Sequence, residues 1–121
     1  MHYANNTYRK IARDTADPRH LEAMLLLEGA AKLQEVHDSW RDKPSGLNDA
    51  LIYNRQLWTI FIDAVAREDN KLPVKVRENL IKLGAFIMAE IFTLMTKPEP
   101  DHLKTIIKIN RSIATGLRGK A

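Results

Sequence analysis

The chain contains no cysteine, which excludes a disulfide framework, a thiolate metal site and a cysteine nucleophile, and fits a reducing compartment. Aromatic residues are few: three Phe, three Tyr and two Trp provide no interleaved rings on which nucleic-acid bases could stack in succession. The five glycines are spread along the chain, so neither GxGxxG nor a P-loop is present, and GxSxG and HExxH are missing as well. The first residues, MHYANNTYRKIARD, lack the apolar stretch of a signal peptide. The longest apolar run, Leu83–Met95, is interrupted by Glu90 and is shorter than the ~20 residues of a membrane-spanning helix. These absences lead to the expectation of a soluble, cytoplasmic protein with no membrane insertion.

What is present suffices for a core. A chain of 121 residues, 45% of them hydrophobic, can bury enough apolar surface to fold as one helical domain over 1–121. The net charge of +4 is uneven: Asp101 is the one acid after residue 100, against Lys104, Lys108, Arg111, Arg118 and Lys120. The basic character therefore belongs to the C-terminal segment, and the rest is balanced. His2, His20, His37 and His102 are scattered without ligand spacing, while Glu35, His37 and Asp38, like Glu68 and Asp69, read as solvated helix faces and ends. No catalytic set, metal site or cofactor is expected, and an enzyme is a poor fit.

Periodicity and punctuation predict five helices in an all-α, compact bundle. A short one covers about Ala4–Asp14. Asp17 as N-cap and Pro18 as first helical residue open a second, to about Trp40. Pro44 and Gly46 in RDKPSG break the chain, and a third helix follows over about Leu47–Arg67. Pro73 opens a fourth, to about Thr96, and a fifth runs from about Pro100 to Leu117, with Gly116 and Gly119 as candidate C-caps. No stretch alternates in the manner of a strand.

Two asparagines interrupt apolar faces. Leu47, Ala50, Leu51, Asn54, Trp58, Phe61 and Val65 share one helical stripe, and Leu103, Ile106, Ile107, Asn110, Ile113, Ala114 and Leu117 share another. A buried amide without partners costs ~1–3 kcal/mol, so each Asn is expected to bond to backbone, to water or to the other Asn. Arg55 and Arg111 fall at the rim of these stripes. The stripes also superpose at an offset of 56 residues, the separation of Asn54 from Asn110. That offset suggests two similar helical hairpins, and the alternative is a chance match of two amphipathic helices.

The fourth predicted helix is apolar over about 200° of its circumference, more than the ~100° a surface helix needs. Leu80, Leu83, Ile87, Ile91 and Leu94 form one side, and Ile81, Ala85, Met88, Phe92 and Met95 extend it. Either the helix is surrounded, or the second group is a docking face for an apolar partner helix; thioethers suit such a face. On the last helix Lys104, Lys108, Arg111 and Arg118 form a basic stripe, which attracts phosphate or simply matches the negative end of the helix dipole.

Four segments, DPRHLEAMLLLEGAAKLQ, LNDALIYNRQLWTIF, LPVKVRENLIKLGAF and IIKINRSIATGL, resemble in this order the FlaF family of flagellar biosynthesis regulators, over about Pro18–Gly119. The motif residues are Leu51, Asn54, Leu57, Trp58, Leu72, Pro73, Arg77, Leu80, Asn110, Ile113, Gly116 and Leu117, each of which also has a plain structural role as core, helix start or cap. The resemblance implies a non-enzymatic flagellin-binding export chaperone that promotes flagellin synthesis after transcription, against the repressor FlbT. Flagellin is then the expected partner, with Ile81, Ala85, Met88, Phe92 and Met95 as the contact face. The alternatives are direct binding of flagellin mRNA by the basic stripe, or an adaptor that only sequesters FlbT.

Overall fold

The computed structural model describes residues 18–40 and 44–119. Four helices fill them: α1 (Pro18–Asp38), α2 (Leu47–Ala66), α3 (Val74–Thr96) and α4 (Pro100–Arg118). No strand occurs among the described residues, so the all-α class holds. The expected helix at Ala4–Asp14 and the Asp17 cap lie outside the described residues. Four of the five expected helices are therefore seen, in a compact bundle.

The chain's punctuation explains the ends. Gly46 precedes α2 with φ of 80°, in the left-handed region that glycine enters without a Cβ clash. Pro73 precedes α3 and its carbonyl accepts the Arg77 N–H at 3.0 Å. Pro100 is the first residue of α4, where a missing N–H costs nothing. Gly119 takes the C-cap of α4 with φ of 90°. Gly116 is instead inside α4, exposed, with open space where a Cβ would point, which corrects its reading as a cap.

Successive helices run antiparallel, up-down-up-down. Gly29 of α1 meets Asn54 and Leu57 of α2 while Val36 meets Gly46; Arg77 reaches the end of α2 while Gly84 lies against Ile62 and Trp58; His102 meets Glu90. The closest packing is between α1 and α4 and between α2 and α3. The backbones of α1 and α3 nowhere approach one another. The core is built from Leu26 and Leu33 of α1, Leu51, Trp58 and Val65 of α2, Ile87, Ile91 and Leu94 of α3, and Leu103 and Ile106 of α4.

The expected repeat at offset 56 survives in one pair of helices. Leu47, Ala50, Leu51 and Asn54 are buried, as are Leu103, Ile106, Ile107 and Asn110. Arg55 and Arg111 are both exposed, and each gives its carbonyl to a threonine hydroxyl four residues on, Thr59 and Thr115. The other pair does not follow. Shifted by 56, the buried Leu80, Ile87, Ile91 and Leu94 of α3 fall on the exposed Met24, Ala31, Glu35 and Asp38 of α1. α1 is wedged between α2 and α4, whereas α3 packs on one stripe, so the two helices cannot share a buried face.

Candidate functional site

Asn54 and Asn110 are fully buried at the bundle centre. Asn110 Nδ2 donates to Asn54 Oδ1 at 2.8 Å and to the Leu26 carbonyl at 3.2 Å. Asn54 Nδ2 donates to the carbonyls of Gly29 at 3.1 Å and Ala50 at 2.9 Å. Trp58 Nε1 donates to Asn110 Oδ1 at 2.9 Å, and its ring meets Phe61 edge-on, 5.5 Å between centroids. Every amide donor and both amide oxygens are used, which is the condition under which a buried polar network stabilises and fixes register. Gly29 makes room for it: a Cβ there would sit 2.6 Å from Asn54 Oδ1 and 3.1 Å from Asn110 Nδ2. The network joins three helices and leaves no group free for chemistry.

Three contacts hold α3. Near its start, Arg77 Nε donates to the Val65 carbonyl at 2.7 Å and Nη2 to the Arg67 carbonyl at 2.8 Å, satisfying acceptors that a helix C-terminus leaves open. Asn70 assists by donating to the Ala64 carbonyl at 3.0 Å. In the middle, Gly84 allows close passage over Ile62. Towards the end, Glu90 Oε1 lies 2.8 Å from His102 Nδ1, while Glu99 Oε1 lies 3.4 Å from Nε2. These carboxylates, the Glu90 hydrogen bond first, raise the His102 pKa above its ordinary 6.5.

So held, α3 buries Leu80, Gly84, Ile87, Ile91 and Leu94 and leaves much of its apolar surface open. Ile81 and Ala85 are exposed, Phe92 is 69% exposed, and Met88 and Met95 are half-buried. The helix is thus not surrounded. The wide apolar arc seen in the sequence resolves into a buried stripe and a neighbouring exposed one. By length and composition alone this helix, 23 residues long and 28% buried over its most apolar window, could cross a membrane. The run Leu83–Met95 on which the sequence expectation rests is thus part of a longer apolar helix that continues across Lys82, a length and composition that the core helix of a soluble protein shares.

Lys104, Lys108, Arg111 and Arg118 are all exposed. The first three line a shallow groove of about 360 Å³ with Gln34, Ile107 and Ser112. A larger groove of about 690 Å³, floored by Leu21, Leu25, Leu57, Ile60, Phe61 and Leu72, opens where the start of α1 meets the end of α2. Sequence reading missed it, although Ile60, off the α2 stripe and 57% exposed, was the available signal. A third, of about 570 Å³, is lined by Lys32, Ser39, Asp49, Tyr53 and Gln56. There the Lys32 ammonium stands 4.9 Å from the centre of the Tyr53 ring, and burial, then the charge of Glu28, pushes the phenol pKa up. No three His, Asp or Glu side chains gather as a metal site among the described residues.

Of the motif residues, Leu51, Asn54, Leu57, Trp58, Leu80 and Asn110 are buried; Leu72, Arg77, Ile113 and Leu117 are half-buried; Pro73 and Gly116 are exposed. Asn54, Trp58 and Asn110 form the asparagine network, Leu72, Pro73 and Arg77 belong to the corner between α2 and α3, and none of the twelve is on the exposed stripe of α3. No curated protein and no solved structure matches the chain. The family model described as flagellar protein FlaF matches residues 4–117, which include the whole asparagine network and the α2–α3 corner, and the chain accordingly belongs to the FlaF family.

Proposed function

We propose that this protein is a cytoplasmic, non-catalytic chaperone that binds flagellin for export and promotes flagellin synthesis after transcription. The observation that carries this reading is the exposed apolar stripe of Ile81, Ala85 and Phe92, edged by Met88 and Met95, on a firmly held helix. Flagellin's terminal helices are apolar and come together in the filament, so an unassembled subunit needs cover against aggregation. A helix face with flexible thioethers at its edge is a fitting cover, by laying one apolar helix along another. Opposition to FlbT then follows from protein binding rather than from catalysis.

A second reading has its own observation: Lys104, Lys108 and Arg111 share one groove, which suits the phosphates of a message. Calorimetric titration of the protein with purified flagellin, and separately with the flagellin mRNA leader, at two salt concentrations separates them. Flagellin binding that barely responds to salt supports the chaperone. RNA binding that fades steeply with salt, without flagellin affinity, transfers the function to α4.

A further inference from the structure

The groove of about 690 Å³ where the start of α1 meets the end of α2 has an apolar floor and a charged edge. Leu25 and Leu72 are half-buried in it and Ile60 is 57% exposed. An apolar surface is thus open between two helices at once. The ion pairs Arg19–Glu22, at 3.7 Å, and Arg67–Asp69, at 3.3 Å, belong to the same lining. An apolar floor with charged margins fits the two faces of an amphipathic helix.

Pro18 is itself one of the lining residues, so residues 1–17 join the described structure at the groove. Their sequence has the matching pattern. Ala4, Tyr8, Ile11 and Ala12, at steps of four, three and one, share one side of a helix, while Asn6, Arg9, Lys10 and Arg13 fall on the other. The length matches as well: a helix over residues 4–14 is about 16 Å long, and the α2 side of the groove, from Leu57 to Arg67, runs about 15 Å.

Two further observations tie this segment to this groove. A residue before proline is steered out of the helical region, so Asp17 directs the chain off the axis of α1. Thr15, Ala16 and Asp17 together span at most about 10 Å, which holds the segment beside the groove at an effective concentration on the order of millimolar. The match to the FlaF family also begins at residue 4, which makes the segment part of the family's domain and not an appendage to it.

We propose that residues 4–14 form a helix that docks in this groove of their own chain, antiparallel to α1, with Tyr8, Ile11 and Ala12 against Leu25, Ile60 and Leu72. The docked helix covers the corner from which Arg77 holds α3. It closes the groove to other molecules and leaves partners the exposed stripe of α3.

Hydrogen exchange of the full chain, read by mass spectrometry, tests this in the wild type, Ile11→Asp, Ile60→Asp and Arg9→Gln. In the wild type the amides of residues 4–14 should exchange at least about tenfold more slowly than in an unstructured peptide of the same sequence. Ile60→Asp, far away in sequence, should abolish that protection as completely as Ile11→Asp, and Arg9→Gln should keep it. Unchanged protection of α4 shows in each case that the bundle is intact; if Ile60→Asp lowers it, the milder Ile60→Ser decides by the same comparison. Wild-type exchange of residues 4–14 at the peptide rate overturns the docking. Protection that survives the Ile60 substitution also overturns it, because the segment then packs elsewhere. Sedimentation velocity should find a monomer, and protection that appears only together with a dimer overturns docking within one chain in favour of a segment exchanged between copies.

Discussion

Asn110 donates to Asn54 across 2.8 Å, joining two parallel helices whose backbones do not themselves come into contact. The bundle's diagonal is thus bridged by side chains alone. Removing one member leaves more than one orphan: Asn110→Ala strips the Trp58 indole of its acceptor and the Asn54 oxygen of its donor. Urea unfolding should show a loss of about 3 kcal/mol for Asn110→Ala. A double-mutant cycle with Asn54→Ala should be markedly non-additive, since the residues share one network.

Two glycine substitutions should move stability in opposite directions. Gly29→Ala forces a Cβ onto Asn54 Oδ1 and should cost about 1–3 kcal/mol. Gly116→Ala meets nothing within 4 Å and should stabilise by about 0.5–1 kcal/mol, because glycine is the poorer helix former. Thermal melts of the two variants beside the wild type check the pair.

Phe92→Asp should leave the circular dichroism and the melting curve close to wild type, because the ring is 69% exposed. The same variant should lose flagellin affinity in calorimetry. If it unfolds the protein, the ring is core and the assignment of the face is wrong.

Lys104→Glu combined with Lys108→Glu should preserve the fold, since both side chains are exposed, and should scarcely affect flagellin binding. A mobility-shift titration with the mRNA leader decides the remainder: strong loss of an RNA complex would favour the nucleic-acid reading.

The His102–Glu90 contact should give stability a pH dependence. The folded-state pKa of His102 is raised above 6.5, so its contribution is fully present below the unfolded value and disappears as pH rises through the folded one. Urea midpoints measured between about pH 5 and 8 should fall with rising pH in this respect, and His102→Gln should flatten the difference.

Much of this architecture was readable from residue order. The α2 stripe from Leu47 to Val65 is buried throughout, because a regular 3.6-residue period on a long helix leaves little ambiguity about its inner face. Proline and glycine marked where helices begin and stop for backbone reasons that do not depend on tertiary context. The asparagine pair was legible as buried, with the other asparagine among the expected partners, since an amide amid apolar neighbours demands one. The role of Trp58 as third member was not, because an indole donor's acceptor depends on how helices 52 residues apart are placed. The resemblance of α1 to α3 failed for the same kind of reason: a helix packed closely between two neighbours and a helix packed closely on α2 and only lightly on α4 bury different faces, whatever their periodicity. For the α3 face, sequence supplied the width of the apolar arc, and only the packing of α2 and α4 divided it into covered and open parts.

Arg77 and Glu90 secure α3 at points about 20 Å apart along its axis. A helix fastened at two places cannot tilt or fray between them, so the open stripe from Ile81 to Met88 has lost its backbone freedom before any partner arrives, and the buried Leu94 holds the turn that carries Phe92. The entropy of ordering that surface is charged to folding and not to the encounter, and an incoming helix surrenders only its own freedom. Affinity at this face is therefore coupled to two contacts that no partner touches: loosening either the Arg77 clasp or the His102 contact should weaken capture without altering one atom of the stripe itself.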